Sequence, residues 1–228
     1  MGAHSVNLLA TTPPAHKSKF NFGRGILLLI ILLSTAGSFA WAGADQHDFA
    51  AYNPVDHQLE RGVFLVATDN LKNSSFRETV VLITHSSARG ATGIAINRPS
   101  QIALHDAFPD IKQFKKREDE LYLGGPVLAN RVFVLMMTER PHAGMFPVSK
   151  NLFFTTGLNA IAHGIENLKP GEHTRAYAGY AGWAPGQLEA EIERGDWRIV
   201  AHEPSIIFES DTKSVWSRLY ERLSGRWI

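Results

Sequence analysis

Beyond residue 60 the apolar residues of this chain fall into short runs, the habit of β-strands, and they take helical spacing only past residue 157. The run 79–84 carries Val80, Val81, Leu82 and Ile83 without polar alternation, which predicts a central strand covered on both faces. Runs 62–67 and 92–96 predict strands beside it. The second is an antiparallel partner that stops at Asn97-Arg98-Pro99, because proline has no N–H to give a ladder. Further strands are expected at 121–123, 131–136 and 152–155, with Gly124-Gly125-Pro126 forcing a change of direction between the first two. Leu158, Ile161, Ala162, Ile165 and Leu168 then recur at helical spacing up to Pro170-Gly171. A last helix is marked by Val215, Leu219 and Leu223 with Trp216 beside them, Asp211 as its expected N-cap and Gly225 as its stop. Strands outnumber helices and do not alternate with them. That pattern predicts one α+β domain with a mixed sheet.

The region before residue 60 obeys a different grammar. Residues 25–42 carry no charge and contain the unbroken apolar run 26–33, and only Lys17, Lys19 and Arg24 precede them as charges. A basic stretch, an apolar stretch and then Ala40-Trp41-Ala42 match a secretory signal, residues 1–42, cut after Ala42. An uncleaved anchor is the alternative. However, residues 26–42 span only ~25 Å as a helix against a hydrocarbon core of ~30 Å. Residues 43–58 then form a flexible lead-in and 59–228 the domain, which is expected in the periplasm. The membrane is a partner only through the leader, and only if the leader is retained.

Cleavage also changes the charge. The 23 Lys and Arg fall to 20 against 22 acidic residues, so the formal +1 becomes about −2 and nucleic acid is disfavoured as a partner. The chain has no cysteine, which excludes disulfides, thiolate nucleophiles, Cys-bound zinc and a lipid-modified N-terminus. The mixed-sign stretch 112–120 is expected to be solvated surface.

Candidate chemistry is densest at 175–191. This segment predicts a strand of small residues, a tight turn and a short helix, with Pro185 in the first helical position and Gly195 at the stop. Leu188 and Ile192 form its inward stripe. Tyr180 and Trp183 are three apart, so in a regular strand they face opposite sides. Gly182 permits close approach, and Gln187 with the free N–H groups of the helix start offers donors for a small anion or a peptide. The same residues also suffice for a closely packed turn with no ligand.

The segment Gly-Tyr-Ala-Gly-Trp-Ala-Pro-Gly-Gln-Leu-Glu at 179–189, with Glu191, resembles the signature of the AlgH/YqgE family of uncharacterised bacterial proteins. Gly90 to Pro99 resembles that family's glycine-rich strand ending in Asn-Arg-Pro. Gly124-Gly125-Pro126-Val127 resembles its turn, and Phe208 with Trp216 its C-terminal pattern. Thr68 and Asn73 stand where the family more often has Pro and Asp. The resemblance implies an α+β fold whose mixed sheet is bifurcated and curled toward a barrel with a few flanking helices. It implies no established activity and no catalytic residues; some members carry a regulator label, which export makes a poor fit here.

Together these motifs define an expected binding surface of Asn97, Arg98, Gly124, Gly125, Pro126, Tyr180, Gly182, Trp183, Gln187 and Glu191. Its partner is a protein or small molecule, and no cofactor or metal is expected. The function expected is non-catalytic binding. The alternative is a hydrolase or transferase using Glu189, Glu191 or His85 near Arg98, and a transcriptional regulator is a weaker third. Among the histidines His163 and Glu166, one helical turn apart, are the best local metal pair. Neither a nucleophile motif nor a phosphate-binding or dinucleotide motif is present; Ser210-Asp211-Thr212-Lys213 reads as a helix start.

Overall fold

The structure, a computed structural model, describes residues 59–224 apart from residue 116. The leader 1–42, the lead-in 43–58 and the Gly225 stop lie outside the described residues. Strands β1 (Val63–Ala67), β2 (Val80–Ser87) and β3 (Gly90–Ala95) form an antiparallel core. β2 is central, as its unbroken apolar run predicts, and alternate residues feed two different cores. Phe64, Val66, Val80, Leu82 and Ile94 pack on one face, and Leu65, Ala67, Val81, Ile83 and Ala95 on the other. The polar stretch after Ile83 continues as strand to Ser87, with a bulge between Ile83 and His85.

Four elements follow in the middle of the chain: β4 (Pro99–Ala103), α1 (Leu104–Ala107), β5 (Glu120–Leu123) and β6 (Val127–Met137). Next come β7 (Phe146–Ser149), β8 (Leu152–Thr155), α2 (Leu158–Glu166) and β9 (His173–Trp183). The chain closes with α3 (Gln187–Glu193), β10 (Trp197–Ala201), α4 (Pro204–Ile207) and α5 (Val215–Leu223). The main path of the sheet runs β10-β1-β2-β3-β9-β6-β8-β7, and the β4–β5 pair branches from β9. β5 lies parallel to β9 and the other pairs are antiparallel, so the sheet is mixed.

β9 carries the bifurcation. Along one edge its residues Ala181, Gly182 and Trp183 pair with β3, while Tyr177 and Ala178 pair with β5. Its other edge belongs to β6. Gly124 sits in the crotch, where its N–H donates to Ala178 O and its carbonyl accepts from the Ala95 N–H, both at 2.9 Å. No side chain fits there. A Cβ on Gly124 would stand 2.3 Å from Gly179 O, and one on Gly125 (φ 153°) would stand 2.2 Å from the carbonyl carbon of Tyr180. The Gly-Gly-Pro-Val turn is therefore the backbone joint at which three strands meet.

The sheet curls but does not close into a barrel. Its two ends approach where His202, just past β10, hydrogen-bonds Ser149 Oγ of β7 at 2.7 Å, and Phe64 packs edge-on to the His202 ring. α5 covers the inner core with Val215 and Leu219, and Trp216 Nε1 donates to Ala67 O at 2.8 Å. α3 and Phe76 cover the second core, and α1 and α2 a third around Phe114, Leu121, Val134 and Ile161. No helix among the described residues is long and apolar enough to cross a membrane.

Two helix starts differ from expectation. α3 has Gly186 (φ 74°) as its N-cap, so Pro185 precedes the helix, because the left-handed turn at Gly186 must come first. Ser214, not Asp211, is the residue before α5. Asp211 instead accepts the Ser214 hydroxyl at 2.8 Å in the preceding turn, which holds its carboxyl below the usual range. The strands β4, β7 and β10 were not expected, since β4 and β7 contain proline and β10 follows a charged helix end.

Candidate functional site

The expected surface divides between two faces of the sheet. Tyr180 packs edge-on against Phe133 at 5.5 Å on the inner-core face. Trp183 lies on the other, against Trp197 at 6.1 Å and stacked on Phe76. The three-residue offset dictates this separation. Gly182 and Gln187 are exposed at the strand-to-helix turn, whereas Gly124 and Gly125 are pressed against β9.

Polar groups in the signature are already paired. Glu191 Oε2 accepts both the Trp183 and Trp197 indole N–H groups, each at 2.9 Å. Its Oε1 accepts Gln187 Nε2 at 2.9 Å, and Gln187 Oε1 in turn accepts the Ala184 N–H at 3.1 Å. One carboxylate thus ties β9, α3 and β10 together. Asn97 plays a similar part for β2: its Oδ1 accepts the Val80 N–H and its Nδ2 donates to Glu78 O, both at 2.9 Å. Arg98 donates to Thr79 Oγ1 and to Arg77 O, and partial burial lowers its pKa. These residues hold the chain where Glu78 takes a left-handed φ of 52°.

The other expected chemistry is dispersed. Glu166 accepts from Gln113 Nε2 at 2.9 Å, whereas the His163 ring lies 4.3 Å from that of His142, so the helical pair does not converge. Among the described residues no group of three or more His, Cys, Asp or Glu gathers to hold a metal.

A cavity of about 240 Å³ opens where β5 and β9 diverge below their short parallel ladder. Tyr122, Thr174, Arg175 and Ala176 line it, together with Arg117, His173 and Phe208. Arg175 Nη1 and Nη2 donate to Ile207 O and Glu209 O, each at 2.7 Å, and the guanidinium lies 4.3 Å from the Tyr122 ring centroid. It makes no ion pair with a carboxylate among the described residues. Asp119 is paired with Arg117, and Glu120 accepts the Gln101 N–H. Arg117 also reaches Thr174 Oγ1 at 3.3 Å. Two residues along β9 from Arg175, the Tyr177 hydroxyl is buried without a well-formed hydrogen bond, and burial pushes its pKa up against the opposing pull of the Arg175 guanidinium.

Neither Tyr180, Gln187 nor Gly125 lines this cavity. Sequence reasoning missed its residues because they come from six separate stretches of the chain. The one available signal was Arg175, a cation inside a strand of small and aromatic residues, where burial demands partners.

A bifurcated, curled mixed sheet with its signature residues at the fork and the adjoining helix defines a class of α+β domain. The chain belongs to the AlgH-like family (DUF179), whose model matches residues 64–228. Among its relatives is a UPF0301 protein of Methylococcus capsulatus, 36% identical over 167 residues, which cover 72% of this chain and 91% of the relative. A UPF0301 protein of Chlorobium luteolum is 31% identical over 172 residues, 75% of this chain and 89% of that one. The solution structure of the AlgH protein from Pseudomonas aeruginosa aligns with a TM-score of 0.59 at 30% identity, covering 71% of this chain and 87% of that one. A crystal structure from Corynebacterium diphtheriae, of protein DIP2367, gives 0.58 at 28%, covering 72% and 86%.

Proposed function

We propose that this chain is a non-catalytic binding module of the periplasm that takes a small anionic ligand in the cavity between β5 and β9. The observation that carries this is Arg175: a guanidinium in a cavity, held by two backbone carbonyls and the Tyr122 ring face with the Tyr177 hydroxyl beside it, without a carboxylate partner among the described residues and with N–H donors left over. A planar carboxylate or a phosphate matches that fork, and about 240 Å³ suits a small molecule and not a polymer. Glu191, the strongest candidate for acid–base work, is engaged by three donors, which speaks for a framework role instead. What supports the periplasm is the charge-free leader with its small-residue cleavage pattern.

Thermal-shift screening of small mono- and dicarboxylates and inorganic phosphate tests the ligand class. Ligand at a hundred times its Kd stabilises by about 2.7 kcal/mol, which for a domain this size raises Tm by about 5–10 °C. Arg175→Lys, which keeps the charge but not the fork, removes the shift. A panel with no stabilising anion, or one whose effect survives in Arg175→Lys, would refute the proposal. N-terminal sequencing of native protein from a periplasmic fraction tests the location. The expected first residue is Gly43; a chain starting at Met1 in the cytosol counts against export.

A further inference from the structure

A second recess, of about 160 Å³, lies between the end of α2, the end of β6 and the loop before β7, and none of its described lining residues belongs to the signature motif. Its walls bring together two of the chain's ten histidines, His142 and His163, and two of its four methionines, Met136 and Met145. The two rings stand 4.3 Å apart between centroids. Gly164, next to His163, makes room for both thioethers: a Cβ there would stand 2.5 Å from Met136 Sδ and 3.2 Å from Met145 Cε.

His142 is prepared as a ligand. Its Nδ1 lies 3.1 Å from Ala143 O, and a carbonyl can only accept, so Nδ1 carries the proton and Nε2 the lone pair. That Nε2 is buried and has no hydrogen-bond partner. A backbone carbonyl holding one ring nitrogen while the other stays free is how metal-binding imidazoles are oriented. An unpaired nitrogen buried beside another imidazole and two thioethers calls for an electrophile.

The recess also selects which one. The only carboxylate among its described lining residues, Glu172, is committed: it accepts Thr138 Oγ1, the Lys169 N–H and Arg140 through both oxygens. A divalent ion that wants oxygen or three imidazoles would find two nitrogens. Two imidazole nitrogens and two thioether sulfurs form a soft donor set without a free carboxylate, and the Arg140–Glu172 pair adds no net charge. The geometry points to a binding site for a soft monovalent cation, copper(I), ligated by His142, His163, Met136 and Met145.

The test is anaerobic titration of the full chain with copper(I) against the chelator bicinchoninate, with silver(I) as a redox-inert probe and zinc(II) as the contrast. One copper(I) is expected to be retained per chain, with sulfur and nitrogen neighbours in its X-ray absorption spectrum and zinc(II) held more weakly. Met136→Leu combined with Met145→Leu keeps the apolar volume and is expected to weaken copper(I) at least tenfold. His142→Gln, on an exposed loop, is expected to do the same with folding intact by circular dichroism. Failure to compete with the chelator would overturn the site, as would tighter zinc(II) than copper(I). So would undiminished copper(I) affinity in both variants, which would transfer the binding to histidines elsewhere in the chain.

Discussion

Replacing Glu191 by alanine strips the acceptor from two indoles at once. Trp197 is 1% exposed and Trp183 7%, so water cannot substitute for the carboxylate at either N–H. Leaving a buried donor unsatisfied costs about 1–3 kcal/mol, which puts the loss from the pair at about 2–5 kcal/mol after allowing for some relaxation of α3. Gln187 also loses the partner of its Nε2. Glu191→Gln is the informative control, because Oε2 already accepts both indoles and a single carbonyl oxygen could do the same. Its amide, however, would face the Gln187 amide donor, and the charge assistance disappears. A loss of about 1–2 kcal/mol is expected for it. Urea unfolding followed by tryptophan fluorescence measures both, since two of the five tryptophans report on this cluster. If Glu191→Ala unfolds within about 0.5 kcal/mol of wild type, the range of an ordinary surface change, the carboxylate does not hold the three elements together. An acid–base role would then have to be reconsidered.

Other expectations follow from the same contacts. Gly125→Ala places a Cβ 2.2 Å from the β9 backbone at a left-handed φ, so it is expected to cost more than about 4 kcal/mol and to leave little soluble protein; wild-type stability would disprove the crowded fork. Burial lowers the His202 pKa below 6.5, with a Gly62 backbone hydrogen bond pulling weakly the other way. Folding thus favours neutral His202, and stability should fall as pH drops from about 7 through 6.5 and below. His202→Gln should flatten that part of the profile, and an unchanged slope would rule His202 out as its source. Glu172 is held at about 2 by the Thr138 hydroxyl first, then the Lys169 N–H and Arg140. Its contribution is complete above 4.5 and is lost as pH falls through about 2. Glu172→Gln should remove the wild type's advantage above pH 5 and leave the two alike near pH 2; equal stability at pH 7 would contradict this.

Much of the framework was legible from residue pattern. β2 announced itself because both its faces are covered, so Val80 to Ile83 could dispense with alternation. The opposite faces of Tyr180 and Trp183 followed from strand period alone. β10 was harder: its sequence Trp-Arg-Ile-Val-Ala gives an exposed Arg198 between buried Trp197 and half-buried Ile199, and what makes it a strand is the long-range ladder to β1. Gly124 and Gly125 were recognisable as a forced turn, yet the reason for two adjacent glycines lies in β9, more than fifty residues away. Glu191 illustrates a deeper limit. Helical spacing puts Gln187 within its reach, but nothing local connects it to Trp197, and so a bracing carboxylate and a catalytic one look alike in sequence. The cavity was the least legible part, since Tyr122, Arg175 and Phe208 meet only because β5 and β9 diverge after two paired residues.

The binding proposal is tested most directly by titrating the isotope-labelled chain with succinate while following backbone amide resonances. Saturable shifts should gather on Glu120, Tyr122, Thr174 and Arg175 and leave Gly182, Gln187 and Leu188 unmoved. Shifts centred on the β9–α3 turn, or none at any succinate concentration reached, would show that the Arg175 cavity is not where this protein binds an anion.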